Sequence, residues 1–201
     1  ARSIVEAAVR AGIETLTLYA FSSDNWGRPR PEVVSLMSLF RRSLLVEGKR
    51  CLENGVRLTI VGRRDRLPAT LRQTINQAEA MTAHGRSLHL RVAIDYSSRD
   101  AILRAASAAK ELGAPLPRER FAQLLADVDH DLAPVRDVDL LIRTGGEKRL
   151  SDFLLWECAY AELVFSPTMW PDFSETELRG AIDEFEARER RFGRVPDQAA
   201  S

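Results

Sequence analysis

The chain has 201 residues, of which 45% are hydrophobic, with 29 basic and 29 acidic side chains and only two cysteines, Cys51 and Cys158. This composition suits one folded domain with a substantial core and excludes a disordered protein, and its balanced charge argues against nucleic acid as a partner. Two cysteines make neither a disulfide framework nor a metal cage, and no apolar run reaches the roughly 18 residues of a membrane-spanning helix, so we expect a cytoplasmic protein.

Apolar periodicity divides the chain into alternating helical and strand segments. The predicted segments are a helix ending at Gly12, a strand over Thr15–Tyr19, a helix over Glu32–Asn54, a strand over Val56–Val61, a helix over Pro68–Ala83, a strand over Leu88–Ile94, helices over Ser98–Leu112 and Pro117–Ala126, a strand over Val138–Ile142, a short helix over Ser151–Cys158, a strand over Ala161–Phe165 and a helix over Glu175–Arg190. This alternation predicts a single α/β domain with one mostly parallel sheet surrounded by helices. Because the first residues resemble the inside of a domain, we expect a strand to precede them.

In such sheets ligands bind in the loops after the carboxyl ends of the strands. The loop after Tyr19 reads AFSSDNWGRPRPE. Ser, Asp, Asn, Gly and Pro are ordinary turn residues, so a simple turn is one explanation. Trp26 favours a built site instead, because a large aromatic ring in a polar loop must pack against something.

The loop after Ile142 reads RTGGEKRLS, with Arg143 and Arg149 on either side of two glycines and Ser151 at the predicted start of a helix. Amides at a helix N-terminus together with guanidiniums favour a phosphate or diphosphate pocket. A glycine turn with surface arginines is the alternative, since all the basic residues except three are Arg and base composition explains most of them.

Two further residues allow structural and functional interpretations. Ser97, in the DYSSRD loop after Ile94, is typical of a helix N-cap, with Asp100 three residues on. Glu162 lies in the apolar stretch AYAEL, where a carboxylate needs either an arginine partner or a metal ion such as Mg²⁺.

The segments TLYAFSSDNWGRPRPEV, DLLIRTGGEKRLSDFLLWECAYAELVF and WPDF together resemble the cis-prenyltransferases, the undecaprenyl diphosphate synthase family. The resemblance runs from residue 1 to about Arg194. It implies a homodimeric enzyme with a hydrophobic tunnel that uses Mg²⁺ and joins isopentenyl diphosphate to an allylic diphosphate. The expected product is a long polyprenyl diphosphate, undecaprenyl diphosphate for cell-wall synthesis, whose lipid tail implies peripheral membrane contact. A short-chain or irregular synthase, or a non-catalytic scaffold subunit, is the alternative.

The resemblance also implies roles for individual residues. Asn25 would assist proton removal, Glu162 would ligate Mg²⁺, and Ala20 and Leu88 would line the tunnel. Arg191 and Gly193 would reach the partner subunit's active site. The residues expected to bind substrate are Ser22, Ser23, Asp24, Trp26, Arg28, Arg143, Arg149, Leu150, Ser151, Arg191 and Gly193.

The chain departs from the family pattern in three places. A strand and an Asp-Gly-Asn-Gly-Arg-Trp loop, typical of the family, are not in residues 1–201, so we expect the domain to continue upstream of them. The sequence DYSSR, with Asp95, Ser97 and Ser98, replaces an Asn-Tyr-Gly-Gly-Arg sequence, which makes that loop stiffer and more acidic. Lys148 stands where some members have His, so a metal role does not transfer to it.

Overall fold

Parallel strands form the middle of the fold in this computed structural model, which describes residues 2–112, 116–131 and 136–188. In that part of the chain, three strands pair in the order β1 (Thr15–Ser22), β3 (Leu88–Tyr96), β2 (Val56–Val61), and β4 (Leu140–Arg143) pairs with β5 (Glu162–Phe165). All three pairings are parallel. The prediction of a parallel α/β domain is therefore confirmed, with the hydrogen-bonded strands divided into two groups.

Helices surround these strands. They are α1 (Arg2–Arg10), α2 (Arg30–Glu53), α3 (Ala69–Thr82), α4 (Ser98–Glu111), α5 (Arg118–Val128) and α6 (Glu175–Glu186), with short 3₁₀ turns at Ser23–Gly27 and Glu157–Tyr160. Ser97 caps α4 as expected, because its side chain accepts a hydrogen bond from the amide of Asp100 at 3.1 Å. Within the described ranges no helix is long and apolar enough to cross a membrane.

The central strand β3 is largely buried on both faces, although its sequence, LHLRVAIDY, alternates between apolar and polar residues over its first half. Leu88, Leu90 and Ile94 belong to the core that lies beneath α1, α2 and α3. On the opposite face, His89 and Arg91 bond polar groups, and Arg91 forms a buried ion pair with Asp131 at 2.6 Å. The loops at the carboxyl ends of β1 and β3 are thereby fixed to a rigid centre.

The predicted helix over Ser151–Cys158 is wrong. Ser151, Asp152 and Leu154 have left-handed backbone angles, with φ of 50°, 61° and 48°, so the segment is a series of turns. Left-handed residues cannot continue a right-handed helix. Asp152 holds this conformation by accepting hydrogen bonds from the hydroxyl of Ser97 and from the amide of Arg99. The last predicted helix ends at Glu186, and its expected final residue, Arg190, lies outside the described residues.

Candidate active site

A cavity of about 1430 Å³ runs between the sheet and helices α1 and α2. Its inner walls are apolar and come from α1, α2 and the three strands β1, β2 and β3. The apolar lining residues are Val5, Val9, Leu18, Ala20, Leu44, Cys51, Val56, Leu58, Leu90 and Val92. Ala20 lines the cavity as expected. The expectation that Leu88 lines it is wrong, because Leu88 is buried in the adjoining core. The predicted hydrophobic tunnel is thus present in the fold.

The mouth of this cavity is polar and rich in guanidinium groups. It lies at the carboxyl ends of β1 and β4, where Arg28, Arg143 and Arg149 all line the wall. Arg99, at the start of α4, is a fourth arginine on that wall. Several planar cations around one opening can bind the oxygens of phosphate groups by paired hydrogen bonds. The arrangement suits a ligand with an anionic head and an apolar tail.

Arg143 is the best-positioned of these arginines. Its Nη1 donates to the carbonyl of Arg149 at 2.7 Å and to the hydroxyl of Ser151 at 2.8 Å. Its Nε is buried and has no hydrogen-bond partner among the described residues. A buried donor left without a partner is rare in folded proteins. The contacts of Nη1 hold the guanidinium at the cavity mouth.

The amides of the two glycines in this loop form hydrogen bonds within the protein. Gly145 donates its amide to the carbonyl of Thr168 at 2.8 Å, and Gly146 donates to that of Ser166 at 3.0 Å. Both glycines have positive φ, 89° and 77°, which explains why glycine stands there. The expected helix N-terminus at Ser151 is wrong, because no helix starts there, so its amides are not available as an anion pocket.

The Ser22–Gly27 segment turns at the end of β1 and presents polar groups to the cavity. Ser22, Asp24, Asn25 and Arg28 line the wall, together with Leu150 and Ser151 from the opposite loop. The amide of Ser22 donates to Oδ1 of Asn25 at 3.0 Å, which fixes the orientation of that carboxamide. Arg28 forms an ion pair with Glu32 at 2.7 Å.

Ser23 and Trp26 were also expected to bind substrate, but they do not line the cavity. The hydroxyl of Ser23 and the Nε1 of Trp26 are buried without hydrogen-bond partners in the described part of the chain. The Trp26 ring packs edge-on against Phe21, with 5.4 Å between the ring centroids. Trp26 therefore packs, as its size required, behind the wall rather than on it.

Sequence reasoning missed two residues at the mouth. Arg99 was read only as part of a helix start, although its place after a strand end was a usable signal. Tyr19 stacks on Phe153 with 4.4 Å between centroids, and its hydroxyl lies 3.3 Å from the carbonyl of Tyr96 and 3.5 Å from that of Ser151, so it can donate to one or the other. Burial raises the pKa of Tyr19 to about 12, so it remains a neutral donor. Tyr19 therefore ties β1 to the loop that carries Ser151.

Glu162 lies apart from this cluster. It pairs with Leu140 in the β4–β5 register, whereas Arg143 pairs with Phe165 at the other end. Three residues of strand separate these positions by about 10 Å. The carboxylate of Glu162 bonds Arg188 at 2.5 Å, so the structural pairing left open by the sequence is present.

Comparisons with known proteins identify the family. Residues 1–193 match a prenyltransferase family model described as "Putative undecaprenyl diphosphate synthase". Isoprenyl transferase 1 of Bradyrhizobium diazoefficiens is 59% identical over 96% of this chain and 76% of its own length. Isoprenyl transferase of Aquifex pyrophilus is 45% identical over 98% of this chain and 84% of its own. The chain belongs to the undecaprenyl diphosphate synthase family.

Solved structures agree with this assignment. A Campylobacter jejuni protein, named as a probable undecaprenyl diphosphate synthase, superposes with a TM-score of 0.86 at 38% identity, covering 96% of this chain and 90% of that one. Lavandulyl diphosphate synthase from Lavandula x intermedia, solved with dimethylallyl diphosphate, gives 0.87 at 31% identity, covering 96% and 84%. The fold and the enzyme class, a prenyltransferase, are thereby shown.

Among the described residues, only some of the ligands that the expected Mg²⁺ would need are present. No group of three or more His, Cys, Asp or Glu side chains within the described ranges is arranged to hold a metal. Mg²⁺ in proteins keeps several waters and takes one or two carboxylates plus substrate phosphates. Glu162 is one such carboxylate, but it is shared with Arg188, so the described residues alone form no Mg²⁺ site. Arg191 and Gly193 lie outside the described residues.

Proposed function

We propose that this prenyltransferase adds isopentenyl diphosphate units to farnesyl diphosphate with new cis double bonds, giving undecaprenyl diphosphate as a cell-wall lipid carrier. One observation carries this proposal: an apolar cavity of about 1430 Å³ opens at a mouth of four arginines. A diphosphate fits the mouth and a growing prenyl chain fits the interior. The proposal places the enzyme in the cytoplasm, in contact with the membrane through its lipid product.

Arg143, Arg149 and Ser151 hold the diphosphate of the isopentenyl unit in this proposal. Fixing that diphosphate places the double bond against the allylic carbon, an effect of orientation. As the allylic carbon–oxygen bond breaks, negative charge grows on the leaving diphosphate, and fixed guanidiniums stabilise it where it develops. Arg28 and Arg99, on the same wall, are the described residues suited to that second task.

Asn25 assists the proton loss that ends each condensation. The carbon–carbon bond forms between the allylic carbon and the isopentenyl double bond, and the resulting cation loses a proton to restore a double bond. The Asn25 carboxamide lines the cavity, and the amide of Ser22 holds its orientation. The proton passes to an oxygen of the diphosphate released in the same condensation, and Asn25 orients the groups between which it moves.

The tunnel then accommodates the growing chain. Leu18, Leu58 and Val92 on the strands face the cavity, as does Leu44 on α2. Each buried CH₂ of the chain contributes roughly 0.8 kcal/mol, so elongation is favoured until the apolar walls end. The far end is lined by charged residues, with Glu47 paired to Arg2 at 2.7 Å.

Mg²⁺ and a second subunit complete the proposal. When bound, Mg²⁺ would neutralise diphosphate charge; Glu162 would supply a protein ligand, and diphosphate oxygens and water the others. The homodimer is supported by large apolar side chains left exposed near β5, including Tyr160 and Met169, which are 60% and 61% exposed. A dimer would cover such a surface.

Irregular coupling is the second candidate function. It is favoured by one observation, the likeness to lavandulyl diphosphate synthase. A scaffold role is disfavoured, because Arg143, Arg149 and Ser151 all line the cavity mouth. A short-chain product would require the inner walls to be blocked, whereas the cavity extends past Val56 to Glu47.

The test incubates the full-length enzyme and Mg²⁺ either with radiolabelled isopentenyl diphosphate plus farnesyl diphosphate, or with radiolabelled dimethylallyl diphosphate as the sole substrate. The proposal expects label in a long polyprenyl product in the first incubation, resolved by chromatography. A labelled ten-carbon product in the second incubation alone would show irregular coupling instead. No labelled product in either incubation, while active relatives work in parallel, would contradict both.

A further inference from the structure

We infer that Asp95, acting through Arg66 and Trp26, positions the Ser22–Gly27 segment that forms one wall of the cavity mouth. The inference rests on the proposed function, since that segment carries Asn25 and the allylic side of the substrate site. None of the three residues lines the cavity. Asp95 and Arg66 are therefore positioning residues rather than catalytic ones.

The contact between Asp95 and Arg66 anchors this arrangement. The side chain of Asp95 is fully buried, and Arg66 donates to both of its oxygens, from Nε at 2.9 Å and from Nη2. A buried carboxylate is costly unless it is paired and hydrogen-bonded, so Asp95 requires this guanidinium. The two parallel hydrogen bonds also fix the plane of the guanidinium, which a single contact would leave free to rotate.

Asp95 itself is held rigidly at the carboxyl end of β3. Its backbone adopts φ of 57°, and its carbonyl accepts a hydrogen bond from the amide of Arg63 at 3.1 Å. Gly62 packs directly on this turn, because a Cβ there would lie 2.3 Å from the carbonyl oxygen of Ile94. The anchor point of Arg66 is thus part of the sheet and not of a loose loop.

Arg66, held in place by Asp95, contacts the ring of Trp26. Its guanidinium carbon lies 5.7 Å from the centroid of the indole ring, within the range of a cation–π contact. The same ring also contacts Phe21, which is 1% exposed on β1. The indole therefore contacts both a buried strand residue and an arginine that is bonded to a second strand.

The consequence for the reaction follows from the position of Trp26. Its immediate neighbour Asn25 lines the cavity, while Trp26 lies behind the wall. Movement of the ring would displace the Asn25 carboxamide and the substrate against it, and small displacements of this kind lower turnover. An Asn at position 95 would offer Arg66 one neutral acceptor in place of two charged ones.

Arg64 provides a matched control for Arg66. It lies two residues away and bonds Glu79 at 2.6 Å and the Ile60 carbonyl at 2.9 Å. Arg64→Lys therefore disturbs a comparable ion pair in the same loop region. Arg66→Lys keeps a cation beside Asp95, so the fold is retained, but an ammonium cannot bond both oxygens and also lie flat over the indole.

The first measurement is hydrogen–deuterium exchange of segment 22–28 in the whole protein without substrate. The inference expects exchange to quicken by about threefold or more in Arg66→Lys and in Asp95→Asn, a change typical of losing one cation–π contact. Arg64→Lys should exchange like the wild type. Unchanged exchange in both Arg66→Lys and Asp95→Asn would overturn the inference, whether or not the enzyme is active.

The second measurement is a double-mutant cycle on kcat/KM with Arg66→Lys and Trp26→Phe. The effects of the two substitutions on kcat/KM are expected to be coupled by about threefold or more, and kcat should fall by a larger factor than KM rises. The control pair, Arg64→Lys and Trp26→Phe, should show no coupling. Faster exchange without this coupling would overturn the positioning role. A wild-type enzyme without transfer activity would instead overturn the proposed function, while the exchange measurement would still decide whether Arg66 orders the segment.

Discussion

The Nη1 of Arg143 lies 2.8 Å from the hydroxyl oxygen of Ser151, eight residues further along the chain. The left-handed turn at Ser151 makes this contact possible, because a helix starting there would direct the chain elsewhere. The guanidinium is therefore fixed before any ligand arrives, which avoids an ordering cost on binding.

Val92→Phe should shorten the polyprenyl product. Val92 is half-buried on β3 and lines the cavity, so a phenyl ring there occupies space that the growing chain needs. Stability should fall by less than about 1.5 kcal/mol, as for tolerated apolar exchanges, because the ring enters a cavity rather than a packed core. Chromatography of the product gives the length. Leu103→Phe, at a position 67% exposed on α4, should leave the length unchanged; equal lengths from both variants would contradict the tunnel assignment.

His89→Gln should stabilise the protein relative to wild type as the pH falls. Burial lowers the pKa of His89 to about 4, below the usual 6.5, and its Nε2 lies 2.8 Å from the hydroxyl of Thr59. Between these pH values the unfolded chain binds the extra proton, so wild-type stability is full above pH 6.5 and is lost as pH falls through this window. The free energy of unfolding of the His89→Gln variant, minus that of the wild type, should therefore increase by about 2 kcal/mol from pH 7.5 to pH 5.

Urea unfolding at the two pH values measures this difference. Subtracting wild type from variant also removes the opposite effect of Asp129, whose pKa burial raises to about 6. The exposed His84 offers the control, because His84→Gln removes a histidine that lies on the surface. A difference for His89→Gln that stays constant with pH would show that His89 titrates normally.

Glu162→Gln should raise the Mg²⁺ concentration needed for half-maximal activity by roughly tenfold or more. Removing a residue that only supports a metal ligand already lowers metal affinity by about that factor, so loss of a direct ligand should do at least as much. Glu184→Gln is the matched control, because Glu162 and Glu184 both form ion pairs with Arg188. Only Glu162 is expected to approach the metal. Identical Mg²⁺ dependence in the two variants would show that Glu162 serves only to pair with Arg188.

Much of the fold could be predicted from the sequence where apolar periodicity is strong. The strand Val56–Val61 has the predicted bounds, and β3 extends only two residues beyond its predicted end. Periodicity failed over Ser151–Cys158, because left-handed φ at non-glycine residues leaves no apolar pattern. Contacts between residues far apart in the sequence could not be predicted either, because no local pattern indicates that Arg66 contacts Trp26.

The sequence predicted which residues belong to the candidate site, and the structure shows which of them contact one another. Arg143 and Ser151 do meet, but through a side-chain contact rather than through the expected helix amides. The sequence could not reveal that Gly145 and Gly146 donate their amides to the loop at Ser166–Thr168, because those partners are 20 or more residues away. Arg99 was missed, since its role depends on where the cavity opens.

The most direct test is steady-state kinetics of Arg143→Ala with isopentenyl diphosphate as the varied substrate. Losing a charge-assisted, partly desolvated contact costs on the order of 2–4 kcal/mol, so kcat/KM should fall roughly 30-fold to several hundred-fold while the melting temperature stays near wild type. Arg143→Lys should not restore full activity, because an ammonium lacks the planar fork.

Arg86→Ala, which removes an exposed arginine from the same protein, is the control and should change kcat/KM by less than about twofold. A large loss confined to the Arg143 variants would establish the cavity mouth as the diphosphate site. Wild-type kcat/KM in Arg143→Ala would contradict that assignment and, with it, the placement of the reaction at this end of the tunnel.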